Sequence, residues 1–191
     1  MNNIDWNYAS DFTDKFRGKN FKVNPNTEGK DNWHTYKEVY EKFLPQSKKI
    51  LEIGTSTGGF VKFCKEQIDD IFMVGSDIVE YGEHNKYLDD VYLGNSYEST
   101  FLDWIKEKKY KFDLVIDDGP HNLNSQMWIM NNIDNFLLEN GSFICEDVQT
   151  FENAEKIKSC SPFPEDTYIW DNRKGGRWDD LCVIIDRRKG L

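Results

Sequence analysis

From Lys48 onward, short runs of β-branched and aliphatic residues alternate with longer amphipathic stretches, and this alternation restricts the fold more than any other feature. Such runs suit strands of a parallel sheet, and the stretches between them suit crossover helices. Seven runs qualify: Ile50 to Ile53, Ile71 to Ser76, Val91 to Leu93, Phe112 to Ile116, Ser142 to Cys145, Thr167 to Trp170 and Leu181 to Ile185. Between the first two, Phe60, Val61, Cys64 and Ile68 recur at helical spacing; between the fourth and fifth, Met127, Ile129, Met130, Ile133, Phe136 and Leu137 do the same. Right-handed crossovers return each strand parallel to the one before it.

The rhythm breaks after Trp170. The segment DNRKGGRWDD is too short for a helix and centres on Gly175 and Gly176, which permit the positive φ angles of a tight hairpin. The expected fold class is therefore α/β: an open, mostly parallel seven-stranded sheet with helices on both faces and a C-terminal antiparallel hairpin. Ahead of the sheet, Trp33, Tyr36, Val39, Tyr40 and Phe43 mark one face of a helix ending near Pro45, which packs on the sheet or roofs a site. Residues 1–30 read as a polar, irregular extension and 31–191 as a single domain.

With 191 residues the chain can bury a full core without metal or disulfide staples. Its four cysteines, Cys64, Cys145, Cys160 and Cys182, are widely spaced, form no Cys-x-x-Cys pair and read as reduced thiols. No apolar run approaches the ~18 residues that span a bilayer, and the first ten residues lack the basic start and apolar run of a secretory signal. A cytoplasmic location without a membrane partner is the expectation. The 24 Lys and Arg stand against 34 Asp and Glu, a formal charge of −10, which repels a phosphate backbone and argues against a nucleic-acid partner.

The segment Ile50 Leu51 Glu52 Ile53 Gly54 Thr55 Ser56 Thr57 Gly58 Gly59 runs from a strand through a small-residue turn into a helix. Glycines at such a turn let the backbone approach a ligand closely. The spacing departs from the Gly-x-Gly-x-x-Gly of dinucleotide folds, and no Lys followed by Ser or Thr comes after Gly59, so a P-loop is excluded. Asp77 closes the second run, where a carboxylate can accept from both hydroxyls of a ribose, and Gly94 Asn95 Ser96 closes the third. All three features fall at carboxyl ends of strands, the edge at which open α/β sheets bind ligands.

Val115 Ile116 Asp117 Asp118 Gly119 Pro120 His121 is answered by Ile144 Cys145 Glu146 Asp147 Val148 Gln149 Thr150. If the fourth and fifth strands are neighbours, Asp118, Glu146 and Asp147 meet at one edge. Like charges at ~4 Å repel by several kcal/mol at an effective dielectric near 20, so a cluster of ionised carboxylates calls for a cation, and all-oxygen ligation suits magnesium better than zinc. The competing reading is that these carboxylates cap helices and face water. His121 has an imidazole that titrates near neutrality and can take a hydroxyl proton, or it is a surface residue of a polar loop. His34 reads as a packed side chain and His84 as a surface one. Arg173, Lys174 and Arg177 form a basic cluster that either contacts an anionic substrate or lies on a solvated hairpin.

The glycine segment resembles the first motif of class I S-adenosylmethionine-dependent methyltransferases, as does the topology. DLVIDDGPH followed by FICEDVQT is similar to the metal-dependent sugar O-methyltransferases of macrolide biosynthesis, the mycinamicin type, and the likeness takes in HTYKEVYEKF, Ile50 to Gly59 and the RWDD tail. Asn95 stands where that family usually has an acidic residue, and Pro120 where it commonly has Ser. The resemblance implies S-adenosylmethionine held across Glu52, Gly54, Ser56, Gly58, Asp77, Asn95 and Ser96. It implies Mg2+ on Asp118, Glu146 and Asp147, with His121 as the base. The implied acceptor is a small hydroxylated molecule carrying a diol, a sugar or glycan first and a catechol second. A cofactor-binding protein without transferase activity is the rival class. A nucleic-acid methyltransferase is disfavoured by the charge and by Asp118 Gly119 Pro120 His121 standing where an Asn/Asp-Pro-Pro-Tyr motif would be.

Overall fold

In the computed structural model, which describes residues 4, 36–80, 86–173 and 178–188, the seven runs become β1 (Lys49–Ile53), β2 (Phe72–Asp77), β3 (Asp90–Leu93), β4 (Phe112–Asp117), β5 (Leu137–Cys145), β6 (Thr167–Asp171) and β7 (Leu181–Asp186). They form one sheet in the order β3-β2-β1-β4-β5-β7-β6. The first five strands are parallel, and β7 lies antiparallel to both β5 and β6. This is the expected fold class. The strand order reverses between β1 and β4, which places a ligand-binding crevice outside their carboxyl ends.

Alternation along each strand divides the core between the two faces of the sheet, because successive side chains point to opposite sides. On one face, Ile50, Leu114, Ile116, Ile144, Cys182 and Ile184 pack with residues of α1 (Lys37–Phe43) and α2 (Gly59–Gln67). On the other, Leu51, Ile53, Val115, Phe143, Val183 and Ile185 pack with residues of α3 (Ser99–Lys108), α4 (Leu123–Asn132) and α5 (Phe151–Ser159). Burial of each such side chain stabilises the fold by roughly 1.5–3 kcal/mol.

Two helix starts fix the functional edge. The Asn122 side chain accepts from the Ser125 N–H at the head of α4, and Thr150 accepts from the Asn153 N–H at the head of α5. Each cap follows shortly after an acidic strand end, so the chain turns away from the sheet at once. Helix α1 ends in a 3-10 turn, Leu44–Gln46, that contains Pro45, as the sequence suggests.

The expected helix through Phe136 and Leu137 is shorter. Helix α4 stops at Asn132, a 3-10 turn covers Ile133–Asn135, and Leu137 opens β5 by pairing with Phe112. Exposed Leu138, Glu139 and Asn140, next to a register shift between Phe112 and Leu114, hide this part of the strand from its sequence pattern. Residues 1–3 and 5–35, His84, and Lys174 to Arg177 lie outside the described residues, and with them Trp33, His34 and the hairpin glycines. Among the described residues, no helix is long and apolar enough to cross a membrane.

Candidate active site

The turn after β1 is built by close approach of two strand ends. Gly54 sits at φ +85°, and a Cβ there would lie 2.1 Å from the Asp118 carbonyl oxygen, so only glycine fits. Its N–H donates to the Ser76 carbonyl at 2.7 Å, while the Asp118 N–H donates to the Ile53 carbonyl at 2.9 Å. Asp77, at the end of β2, accepts from the Ser56 N–H at 2.9 Å and from the Val79 N–H at 3.1 Å. The carboxylate therefore props up the glycine turn from the neighbouring strand. Gly58, at φ +74°, leads into α2.

This turn borders a cleft of about 570 Å³, a size suited to a small-molecule ligand. Of the expected cofactor residues, Gly54, Ser56, Asp77, Asn95 and Ser96 are in its wall. Glu52 and Gly58 are their chain neighbours and stand outside the wall, Glu52 being buried. The Asn95 amide donates to Glu98 Oε1 at 2.6 Å and accepts from the Tyr97 N–H at 3.1 Å, so it shapes the turn after β3. The Ser76 and Ser96 hydroxyls are hydrogen-bonded to each other beneath the cleft. Pro120 also lines it, as do Ile78 and Tyr97, which the sequence does not single out.

Beside the cleft, the ends of β4 and β5 bring acids together. Asp118 also forms part of the cleft wall. His121 Nε2 lies 3.1 Å from Asp118 Oδ1, and its Nδ1 lies 3.5 Å from Asp147 Oδ2. One ligand atom from each of Asp118, His121 and Asp147 falls within 4.8 Å of the others. His121 and Asp147 both have φ +52°, a region that non-glycine residues rarely adopt and that clusters at functional sites. Glu146 is adjacent but outside this group: buried, it accepts from the Tyr40 hydroxyl, and its carbonyl accepts from Gln126 Nε2 at 2.9 Å.

Three buried or half-buried phenols serve the acidic strand ends. Tyr36 donates to Asp147, Tyr40 to Glu146, and Tyr97 to Asp117 at 2.6 Å. The sequence puts Tyr36 and Tyr40 on one face of a helix that packs on the sheet or roofs a site, and assigns neither hydroxyl a partner. Burial, then the facing carboxylates, push all three phenols well above their ordinary titration range, so they remain donors. Burial raises the Asp117 carboxyl to about 6 despite the Tyr97 hydrogen bond. For His121, burial alone would lower the imidazole, but Asp118, Asp147 and Glu146 outweigh it and push it up to about 9.

Two carboxylates and an imidazole at this separation fit a divalent cation. The oxygens satisfy a hard ion such as magnesium, and the imidazole is placed either to ligate it or to exchange a proton beside it.

The FtsJ-like methyltransferase family matches residues 33–170. No curated protein matches the chain. Among solved structures, MycE methyltransferase from the mycinamycin biosynthetic pathway, in complex with Mg, SAH and mycinamycin VI, is similar at a TM-score of 0.62 and 17% identity, covering 83% of this chain and 52% of that one. An O-methyltransferase family protein from Burkholderia thailandensis gives a TM-score of 0.59 at 6% identity, over 81% and 55% of the two chains. The Methanococcus jannaschii fibrillarin pre-rRNA processing protein gives 0.52 at 16% identity, over 77% and 70%. The chain thus spans about half the length of the MycE structures it resembles.

Proposed function

Because this chain belongs to the FtsJ-like methyltransferase family, we propose that it moves a methyl group from S-adenosylmethionine to a hydroxyl of a small diol-bearing acceptor, a sugar in the first instance, with magnesium as the assisting ion. The observation that carries this reading is the gathering of Asp118, His121 and Asp147 within 4.8 Å beside the glycine-turn cleft. The MycE neighbour, with Mg, SAH and a macrolide in its complex, supports a small-molecule acceptor. The charge of −10 supports the same choice over nucleic acid.

In this reading Gly54, Ser56 and Ser96 would bring backbone and hydroxyl groups against the methyl donor, with Glu52 and Gly58 behind them in the turn. Asp77, which holds the Ser56 N–H, would accept from the ribose hydroxyls, and Asn95 in the cleft wall would border the base. Asp118 and Asp147 would hold the cation, and Glu146, which lies outside their 4.8 Å group, would join them as a third ligand. The donor supplies an electrophilic methyl, and the cation supplies Lewis acidity toward neighbouring hydroxyls and fixes their approach. With a cation neutralising Asp118 and Asp147, the His121 imidazole would fall from its raised value. Once neutral, it would accept the hydroxyl proton as the oxygen takes the methyl and the donor sulfur leaves as a neutral thioether. Asp118 beside one ring nitrogen and Asp147 beside the other support this role.

The test is transfer of labelled methyl from S-adenosylmethionine to diol acceptors, with Mg2+ and after chelation, in the unsubstituted chain and in His121→Ala. Transfer that needs Mg2+ and falls at least ~100-fold in His121→Ala is the expected result. Transfer unaffected by chelation removes the metal from the mechanism. Cofactor binding without transfer to any hydroxylated acceptor favours a binding protein instead.

A further inference from the structure

The tandem acids Glu146 and Asp147 are each met from below by a phenol of the same helix. Tyr36 caps α1 and Tyr40 lies one turn on, the two joined by the Tyr40 N–H donating to the Tyr36 carbonyl at 3.0 Å. Both rings are sealed from solvent, with exposures of 1% and 0%, so neither hydroxyl can reach an acceptor molecule. Phenylalanine would pack as well against Trp170, whose ring lies 5.9 Å from that of Tyr36, or against Phe60, 5.3 Å from that of Tyr40. What tyrosine adds at each place is one hydroxyl, and each hydroxyl donates to a carboxylate: Asp147 of the candidate metal cluster, or Glu146 beside it, the third ligand of the proposed function.

The Asp147 contacts define an orientation. One carboxylate oxygen, Oδ1, accepts from Tyr36, while Oδ2 is turned to His121 Nδ1 at 3.5 Å. The Asp147 N–H donates back to the Tyr36 hydroxyl oxygen at 3.2 Å, which pins the left-handed backbone at that residue. The Tyr36 hydroxyl also lies 3.2 Å from the Asp179 carbonyl, in the segment leading into β7. One phenol thereby ties together the end of β5, the approach to β7 and the start of α1.

We infer that Tyr36 and Tyr40 are positioning residues of the metal site: the two phenols fix the rotation of Asp147 and Glu146, so that α1 sets the affinity of the site for a divalent cation. This rests on the metal reading proposed above. Groups that hydrogen-bond to metal ligands typically change metal affinity by 10–100-fold when removed.

The test uses Mn2+ alone, titrated into the full chain by calorimetry and by electron paramagnetic resonance, with S-adenosylhomocysteine affinity measured separately. Tyr36→Phe is expected to weaken Mn2+ binding on the order of 10-fold or more while leaving S-adenosylhomocysteine affinity within about two-fold. Tyr40→Phe, acting on Glu146, is the second variant and keeps the test decisive if Tyr36→Phe does not fold. Phe43→Leu, on the same buried helix but with no bond to the acids, is the packing control and should lower the melting temperature without moving Mn2+ affinity. Mn2+ affinity unchanged in both tyrosine variants, or shifted equally by Phe43→Leu, overturns the inference while leaving the metal reading intact. An unsubstituted chain that binds no Mn2+ overturns both.

Discussion

His121 Nδ1 stands 3.5 Å from Asp147 Oδ2, across the gap between the loop that follows β4 and the loop that follows β5. The opposite ring nitrogen is 3.1 Å from Asp118 Oδ1, so the imidazole bridges two acids delivered by neighbouring strands.

This bridge predicts a titration. In chelated protein His121 should titrate near 9 by NMR, because Asp118 and Asp147 favour the imidazolium more than burial opposes it. The folded value lies above that of the unfolded chain, ~6.5, so the associated stability is present below that pH and is lost as pH rises through about 9. Asp147→Asn should bring the titration down, and Mg2+, competing for the same carboxylates, should do so as well. A His121 titration unmoved by either change would contradict the geometry.

Gly54→Ala should be severe. A methyl group at this position would lie 2.1 Å from a backbone oxygen, at a φ of +85° that alanine resists. A loss on the order of 3 kcal/mol in denaturant unfolding is expected, together with loss of S-adenosylhomocysteine binding. Normal stability and binding in this variant would mean that the turn does not approach Asp118 so closely.

Asp77→Ala removes the acceptor of the Ser56 N–H and, in the proposed site, the ribose contact. Calorimetry should report S-adenosylhomocysteine affinity reduced at least ~10-fold, the cost of about one charge-assisted hydrogen bond. Mn2+ affinity should be unchanged, because Asp77 lies outside the acidic cluster.

Asp186 joins α1 to the end of β7. Lys42 is 2.8 Å away, and the Arg188 guanidinium contacts both carboxylate oxygens, at 2.8 and 3.0 Å. Burial opposes the charge, but Arg188 and Lys42 outweigh it and hold the carboxyl down to about 2. A depressed acid stabilises the fold above its unfolded value of ~3.9 and loses that contribution as pH falls toward 2. Asp186→Asn should cost on the order of 1–2 kcal/mol at pH 7, allowing for solvent screening, and little at pH 2, read by urea unfolding.

The sheet was legible because its information is local. Unbroken apolar runs mark Leu114, Val115, Ile116 and Ile50, Leu51, all buried because helices cover both faces of the sheet, and a pair of glycines marks the antiparallel ending. The strand-end acids were legible for the same reason, since parallel neighbours put Asp118 and Asp147 at one edge. Strand β5 was cut short in the reading because Leu138 to Asn140 are exposed and imitate a loop. The phenol contacts were out of reach: Tyr36 and Tyr40 have helical spacing that reads as core packing, which they do provide. Their second role depends on where α1 docks over the end of β5, a long-range fact with no local pattern. The same applies to Glu146, whose carboxylate is drawn to Tyr40.

In the proposed site Asp118 and Asp147 share one cation beside the methyl donor. Crystals of the full chain grown with S-adenosylhomocysteine and soaked in Mn2+ test it directly through anomalous scattering. A single strong peak is expected within ~2.3 Å of a carboxylate oxygen from each of Asp118 and Asp147, next to the sulfur of the bound donor product. A peak elsewhere, or a fully occupied donor cleft with no peak between those two residues, would contradict it.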